Sequence, residues 1–139
     1  MLTTQAGETM DTTTLAFSTI AITLALILYS IGVWSERLAK ILKPKHLAFF
    51  WAGFIFDSTG TTLMTTLAPT MSNQNFLNIH AITGILAIVL MLLHATWATI
   101  SLISGNEQRL RNFHRFSLAV WAIWLIPYCI GFIANIPGI

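Results

Sequence analysis

The sequence predicts an all-α fold, a membrane-embedded antiparallel four-helix bundle, from three observations. The 139-residue chain is 55% hydrophobic and only 9% charged, against roughly 25% charge in an ordinary soluble domain. All seven Lys and Arg residues fall in two short stretches, Glu36 to Lys45 and Glu107 to Arg115. The apolar runs outside those stretches have the length of membrane spans. So few charges could not cover a water-soluble surface of this size, and the apolar content excludes disorder.

Four segments follow in order, at about 14–34, 46–68, 76–103 and 114–136. Each reaches the ~20 residues that a helix needs to cross ~30 Å of hydrocarbon. A backbone without water must satisfy itself, which selects helices, and no period-two alternation supports a barrel. Short connections favour up-down-up-down order with sequential neighbours adjacent, as one domain over 1–139. Arg37, Lys40, Lys43 and Lys45 lie between segments one and two, and Arg109, Arg111 and Arg115 between three and four. The connection APTMSNQN carries no charge. The positive-inside rule then places both basic loops in the cytoplasm and both termini outside, as in a multi-pass protein of the cell membrane. Glu8 and Asp11 precede segment one with no Lys or Arg, so the basic region of a secretory signal is missing and segment one is expected to be retained.

Several function classes are argued against by what is absent. Cys129 is the only cysteine and no CxxCH occurs, which excludes internal disulfides, thiolate metal sites and covalent c-type haem. The pI near 9.0 reflects loop topology rather than a nucleic-acid surface, because both basic clusters sit at the ends of apolar segments. No HExxH, phosphate-cradling glycine loop or supported Ser-His-Asp motif points to a hydrolase.

Ionisable groups inside a membrane are costly and usually mark a pathway, ligand or cofactor. On segment three, His80 and His94 stand 14 residues apart, about 21 Å along one face, with Gly84, Ala87 and Met91 between them and Ala98 beyond. Segment two aligns His46, Gly53, Asp57, Gly60 and Met64. Its glycines imply a close approach, either by a neighbouring helix or by the edge of a porphyrin. On segment four the stripe from His114 through Trp121, Leu125 and Phe132 is bulkier.

Each of these residues carries a functional and a plain reading. Neutral imidazole suits iron, and inward histidines on facing helices grip haem. His94 opposite His46 or His114 would serve, although His94 lies several ångströms deeper by residue count and helix tilt must close the gap. The plain reading of His94 is a core histidine bonded to a Ser or Thr across the bundle. For His46 and His114 it is a headgroup-facing residue, and for His80, beside Asn78, a wet boundary residue. Asp57, the only carboxyl within a predicted segment, precedes Ser58, Thr59, Gly60, Thr61 and Thr62. It is either a proton-accepting site or a packing element satisfied by those hydroxyls. Trp34, Trp51, Trp97, Trp121 and Trp124 read as belt or core. Lys43, Lys45, Arg109, Arg111 and Arg115 are topology signals that could also pair with haem propionates.

The stretch HAITGILAIVLMLLH resembles the haem-bearing helix of four-helix bacterial dihaem membrane cytochromes b. That resemblance implies ligand roles for His80 and His94. Over nearly its whole length the chain also resembles the HsmA family of small membrane proteins, through YSIGVWSERL, FWAGFIFDSTGTTLM, LNIHAITGILAIVLMLLHATWA and FHRFSLAVWAIWLIPY. It implies a minimal b-type cytochrome with noncovalent haem b and axial histidines drawn from His46, His80, His94 and His114. Gly53, Asp57, Gly60, Met91 and Arg115 are then expected to line the cofactor. One haem near the cytoplasmic face is expected. Segment one has no histidine and only His80 lies near the outer face, so a second haem is unsupported; Met64 is a minor thioether candidate. The expected function is electron transfer with a membrane quinol or a redox partner protein, or sensing through pH-dependent ligation, rather than stand-alone enzyme activity. The alternative is a cofactor-free membrane subunit or small proton or solute carrier using Asp57, His80 and His94.

Overall fold

The computed structural model describes the backbone of residues 2–67 and 74–134 and the side chains of residues 12–65 and 81–133. The chain is all-helical, with α1 Leu2–Ala39, α2 Pro44–Leu67, α3 Gln74–Ser104 and α4 Glu107–Ala134. No strand occurs among the described residues. Three helical stretches are long and apolar enough to cross a membrane: Thr12–Ala39, Ala81–Ser104 and Glu107–Ile133. α2 is a helix of 24 residues, and the polar run from Asp57 to Thr62 interrupts its apolar character.

The helix ends follow from local chemistry. α1 continues past Trp34 and stops where Lys40 turns left-handed at φ 61°, its N–H donating to the Glu36 carbonyl at 2.9 Å. A left-handed residue after the last turn closes a helix in this way. Glu36 therefore belongs to the helix, not to the basic loop where the sequence placed it. Pro44 opens α2 at the position that needs no N–H. Gly105, at φ 65°, ends α3, and the Asn106 side-chain oxygen accepts the Arg109 N–H at 3.1 Å to cap α4. The Leu42 N–H donates to the Leu110 carbonyl at 3.0 Å, which ties the first connection to the start of α4 and puts both basic stretches at one end of the molecule.

Helix contacts set the register. Gly32, Gly53 and Gly60 sit under Phe50, Tyr29 and Ile22, so α1 and α2 approach closely where no Cβ intervenes. α1 and α4 meet at Glu36 with Ser117, at Ser30 with Trp121 and at Tyr29 with Trp124. One number falls as the other rises, so the two helices run in opposite directions. Trp51 donates to Thr99 at 3.1 Å between α2 and α3, and His94 meets Ser117 between α3 and α4.

The buried faces largely match the expected ones on α2 and α3. His46, Gly53, Asp57 and Gly60 are buried, as are Ala87, Met91, His94 and Ala98. α4 departs from expectation. Its buried face runs through Phe113, Ser117, Val120 and Trp124, while His114, Trp121 and Leu125 are half-buried and Phe132 is exposed. The helix is turned by about one residue, ~100°, because Ser117 and Trp124 bond the buried carboxyls of Glu36 and Asp57, whereas Trp121 bonds only the half-buried hydroxyl of Ser30. Large apolar residues such as Ile20, Ile27, Leu86 and Ile126 face outward.

Candidate functional site

Two layers of buried polar side chains cross the interior. The first joins three helices. Glu36 on α1, His94 on α3 and Ser117 on α4 are all essentially inaccessible. Ser117 Oγ donates to Glu36 Oε2 at 2.8 Å, and His94 Nε2 lies 2.7 Å from the same Oγ. With Glu36 ionised, the hydroxyl donates to it and the imidazole supplies the other donor, so the chain runs from His94 Nε2–H to Ser117 Oγ–H to Glu36. With Glu36 protonated, the same three groups can run in the opposite order. The His94 Nδ1 and Glu36 Oε1 atoms are buried without a protein partner. Phe50, Phe113 and Phe116 pack around the imidazole at ring-centroid distances of 4.4, 5.4 and 5.8 Å.

The second layer is built on Asp57. Tyr29 Oη donates to its Oδ2 at 3.2 Å, and Trp124 Nε1 donates to the same oxygen at 2.8 Å. Tyr29 and Trp124 meet edge to face at 5.1 Å. The expectation that threonine hydroxyls satisfy Asp57 is not met. Thr59 and Thr62 donate instead to the carbonyls of Ile55 and Ser58 one turn back, the usual alternative for a helical hydroxyl. The second layer lies seven residues from the first on both α1 and α4, about 10.5 Å along the axes.

The other expected site residues are placed differently. Gly53 and Gly60 receive α1: a Cβ at Gly53 would stand 2.6 Å from the Tyr29 ring, and one at Gly60 would stand 2.5 Å from Ile22 Cγ1. Of the two readings given to these glycines, close helix packing is the one observed. Met91 is buried in the same core cluster as Tyr29 and Trp124. Gly84 faces open space, and Met64 is half-buried. The His80 side chain lies outside the described residues. His46 is buried at the N-terminus of α2, where its Nδ1 accepts the Lys43 N–H at 3.0 Å, the role Glu or Gln plays in a capping box. His114 donates from Nδ1 to the Arg111 carbonyl at 2.8 Å and, with Arg115, lines an open cleft.

These tautomers test the fit of a haem. Iron ligation needs a bare nitrogen facing the metal, with the opposite N–H held by an acceptor. In His46 the bare Nδ1 is consumed by the helix cap, which leaves the proton on Nε2. In His94, with Glu36 ionised, the proton is on Nε2 toward Ser117 and Nδ1 is bare. Only His114 presents a bare Nε2 with its Nδ1–H on a carbonyl. By this requirement His94, through its unpartnered Nδ1, and His114 could each hold iron, whereas His46 could do so only by giving up its helix cap.

Sequence reasoning missed Glu36 and Ser117. Glu36 was hidden by the basic residues that follow it. A signal did exist, since Glu36 lies one heptad beyond Tyr29 on α1 and Ser117 one heptad before Trp124 on α4. Comparison with protein-family models, curated proteins and solved structures finds no match for this chain.

Proposed function

We propose that the protein is a membrane-embedded antiparallel four-helix bundle that carries protons, or a solute together with a proton, through the Glu36, Ser117 and His94 layer. The membrane reading is supported by an interior that holds the polar groups and an exterior of large apolar side chains, the reverse of a soluble protein. Both basic stretches lie at one end and face the cytoplasm under the positive-inside rule.

The observation that carries the reading is the hydrogen-bonded imidazole, hydroxyl and carboxyl. A proton taken up at the bare Nδ1 of His94 releases the Nε2 proton to Ser117 Oγ. The serine proton then passes to a deprotonated Glu36 Oε2. The chain resets when Glu36 passes its proton on, the imidazole returns its proton from Nδ1 to Nε2 by ring reorientation or exchange with water, and the serine hydroxyl rotates back to the carboxylate. Asp57, with Tyr29 and Trp124, supplies a second acceptor about 10.5 Å away along the helices, and water must enter that interval for transport to be continuous. A carboxyl in a dry interior with no ion-pair partner is expensive to keep, which argues for use rather than packing. The test is proton flux in vesicles reconstituted with the purified protein. Glu36→Gln and Asp57→Asn should each lower it severalfold, and flux no higher than in empty vesicles would refute the reading.

A second reading, a small b-type cytochrome exchanging electrons with a quinol or partner protein, is favoured by the sequence resemblance and by the unpartnered Nδ1 of buried His94. Haem b would supply one-electron chemistry, and His94 would hold it through Nδ1 while Nε2 keeps its bond to Ser117. Protein purified after expression with added haem would then show reduced α and β bands that are lost in His94→Ala. A colourless, folded preparation would eliminate this reading.

A further inference from the structure

A cleft of about 580 Å³ opens between the end of α1 and the first turns of α4, lined by Arg37, Lys40, Arg111, His114, Arg115 and Leu118. Arg37 on α1, Arg111 and Arg115 on α4, and Lys40, the residue that follows α1, converge there. Among the described residues one acid answers them, Glu107, which bonds Arg111 at 2.8 Å. Glu36, next to Arg37 in sequence, is turned inward onto Ser117. The positive-inside rule asks only that this end of the molecule be basic. It does not ask that cations from separate helices face one cavity.

Lys40 adds an independent observation. It is the only described non-glycine residue with positive φ, at 61°, in a helix-closing position where glycine or asparagine is the cheaper choice. A lysine held there keeps an ammonium at the cleft at the expense of backbone strain, and strain of this kind collects at functional positions. The Arg37 guanidinium lies 5.4 Å from the Trp34 ring centroid, and Trp34 is partly exposed in the manner of an interfacial belt residue. The cleft thus sits at headgroup depth, with Leu118 as its apolar wall. Guanidinium forks suit phosphate oxygens in particular, and basic pockets between helices on the cytoplasmic side suit anionic headgroups.

We propose that this cleft binds the phosphate of an anionic phospholipid headgroup from the surrounding leaflet. The proposal rests on the membrane-embedded reading and is independent of proton transfer. Its test is native mass spectrometry of the detergent-extracted protein, titrated with phosphatidylglycerol, with phosphatidylcholine of the same chains, and with inorganic phosphate. Phosphatidylglycerol should bind in preference to both. Lys40→Gly, which suits the left-handed backbone and should raise the unfolding temperature, should weaken phosphatidylglycerol about fivefold, and Arg115→Gln by a similar factor. Lys45→Gln, outside the cleft, should leave binding unchanged. Equal binding of the two lipids, or full retention of binding in both Lys40→Gly and Arg115→Gln, overturns the proposal. Inorganic phosphate binding as tightly as phosphatidylglycerol overturns the lipid assignment in favour of a soluble anion. Because the protein must be extracted with detergent for any arm, release into buffer without detergent would mark failure of the membrane reading itself.

Discussion

At the scale of single residues, Ser117 holds the first layer together. Replacing it with Ala leaves both an imidazole N–H and a carboxyl oxygen buried without their partner, and should cost about 2 kcal/mol in a detergent unfolding titration. Ser101 is the matched control: it is equally buried, but its hydroxyl has no hydrogen-bond partner. Ser101→Ala should be neutral or slightly stabilising, since removing an unsatisfied buried hydroxyl relieves a desolvation penalty. Equal losses in the two variants would show that the Ser117 bonds contribute nothing. Asp57 divides by shape and polarity in the same way. Asp57→Asn keeps an acceptor for Tyr29 and Trp124, whereas Asp57→Leu strands both donors and should be the less stable of the two by about 1 to 3 kcal/mol. These residues also mark the limit of what the sequence displays. Asp57 stands out amid apolar neighbours, whereas Glu36 is followed by Arg37, Lys40, Lys43 and Lys45 and reads as loop. What brings it inside is the point at which α1 stops, and that depends on the left-handed turn at Lys40, which propensity alone does not indicate.

At the scale of helices, the glycines separate two kinds of surface. Gly53→Ala and Gly60→Ala would drive a Cβ into the Tyr29 ring and into Ile22. Tyr29 has little freedom to yield while it donates to Asp57. Each variant should lose roughly 1 to 3 kcal/mol by overpacking. Gly84→Ala meets nothing within 4 Å and gains helix propensity, so it should be stabilising by up to about 1 kcal/mol. Thermal unfolding of the three variants checks the ordering, and a destabilised Gly84→Ala would show that another surface covers that face. The inward faces of α2 and α3 were legible because small residues and histidines repeat at helical spacing. The face of α4 was misplaced by about one residue. Trp121 and Trp124 are both large and amphipathic, so composition does not choose between their faces. The choice is made by the buried partners: Ser117 finds Glu36 and His94 and Trp124 finds Asp57, while Trp121 finds only the half-buried Ser30 hydroxyl.

At the scale of the whole molecule, the all-helical class and four-element order followed from charge distribution and segment length, which are global properties of the sequence. The function did not follow so directly. Four histidines on three segments suggested axial ligands, but a histidine's role depends on which nitrogen is bare, and only its partners decide that. His46 caps a helix, His94 shares a hydrogen bond with a serine and keeps its other nitrogen unpartnered, and His114 borders a basic cleft. The arrangement also places two carboxyl-centred layers in an apolar molecule, one above the other along α1 and α4. If those layers move protons, the effect must appear across a membrane and must depend on the carboxyls rather than on any pigment. The most direct measurement is proton uptake into vesicles holding the purified protein, driven by a potassium diffusion potential and followed with a trapped pH dye. Wild-type protein is expected to acidify the lumen several times faster than empty vesicles, with the excess largely lost in Glu36→Gln and restored in Glu36→Asp. Acidification at the empty-vesicle rate, or an excess that survives Glu36→Gln intact, would contradict the account.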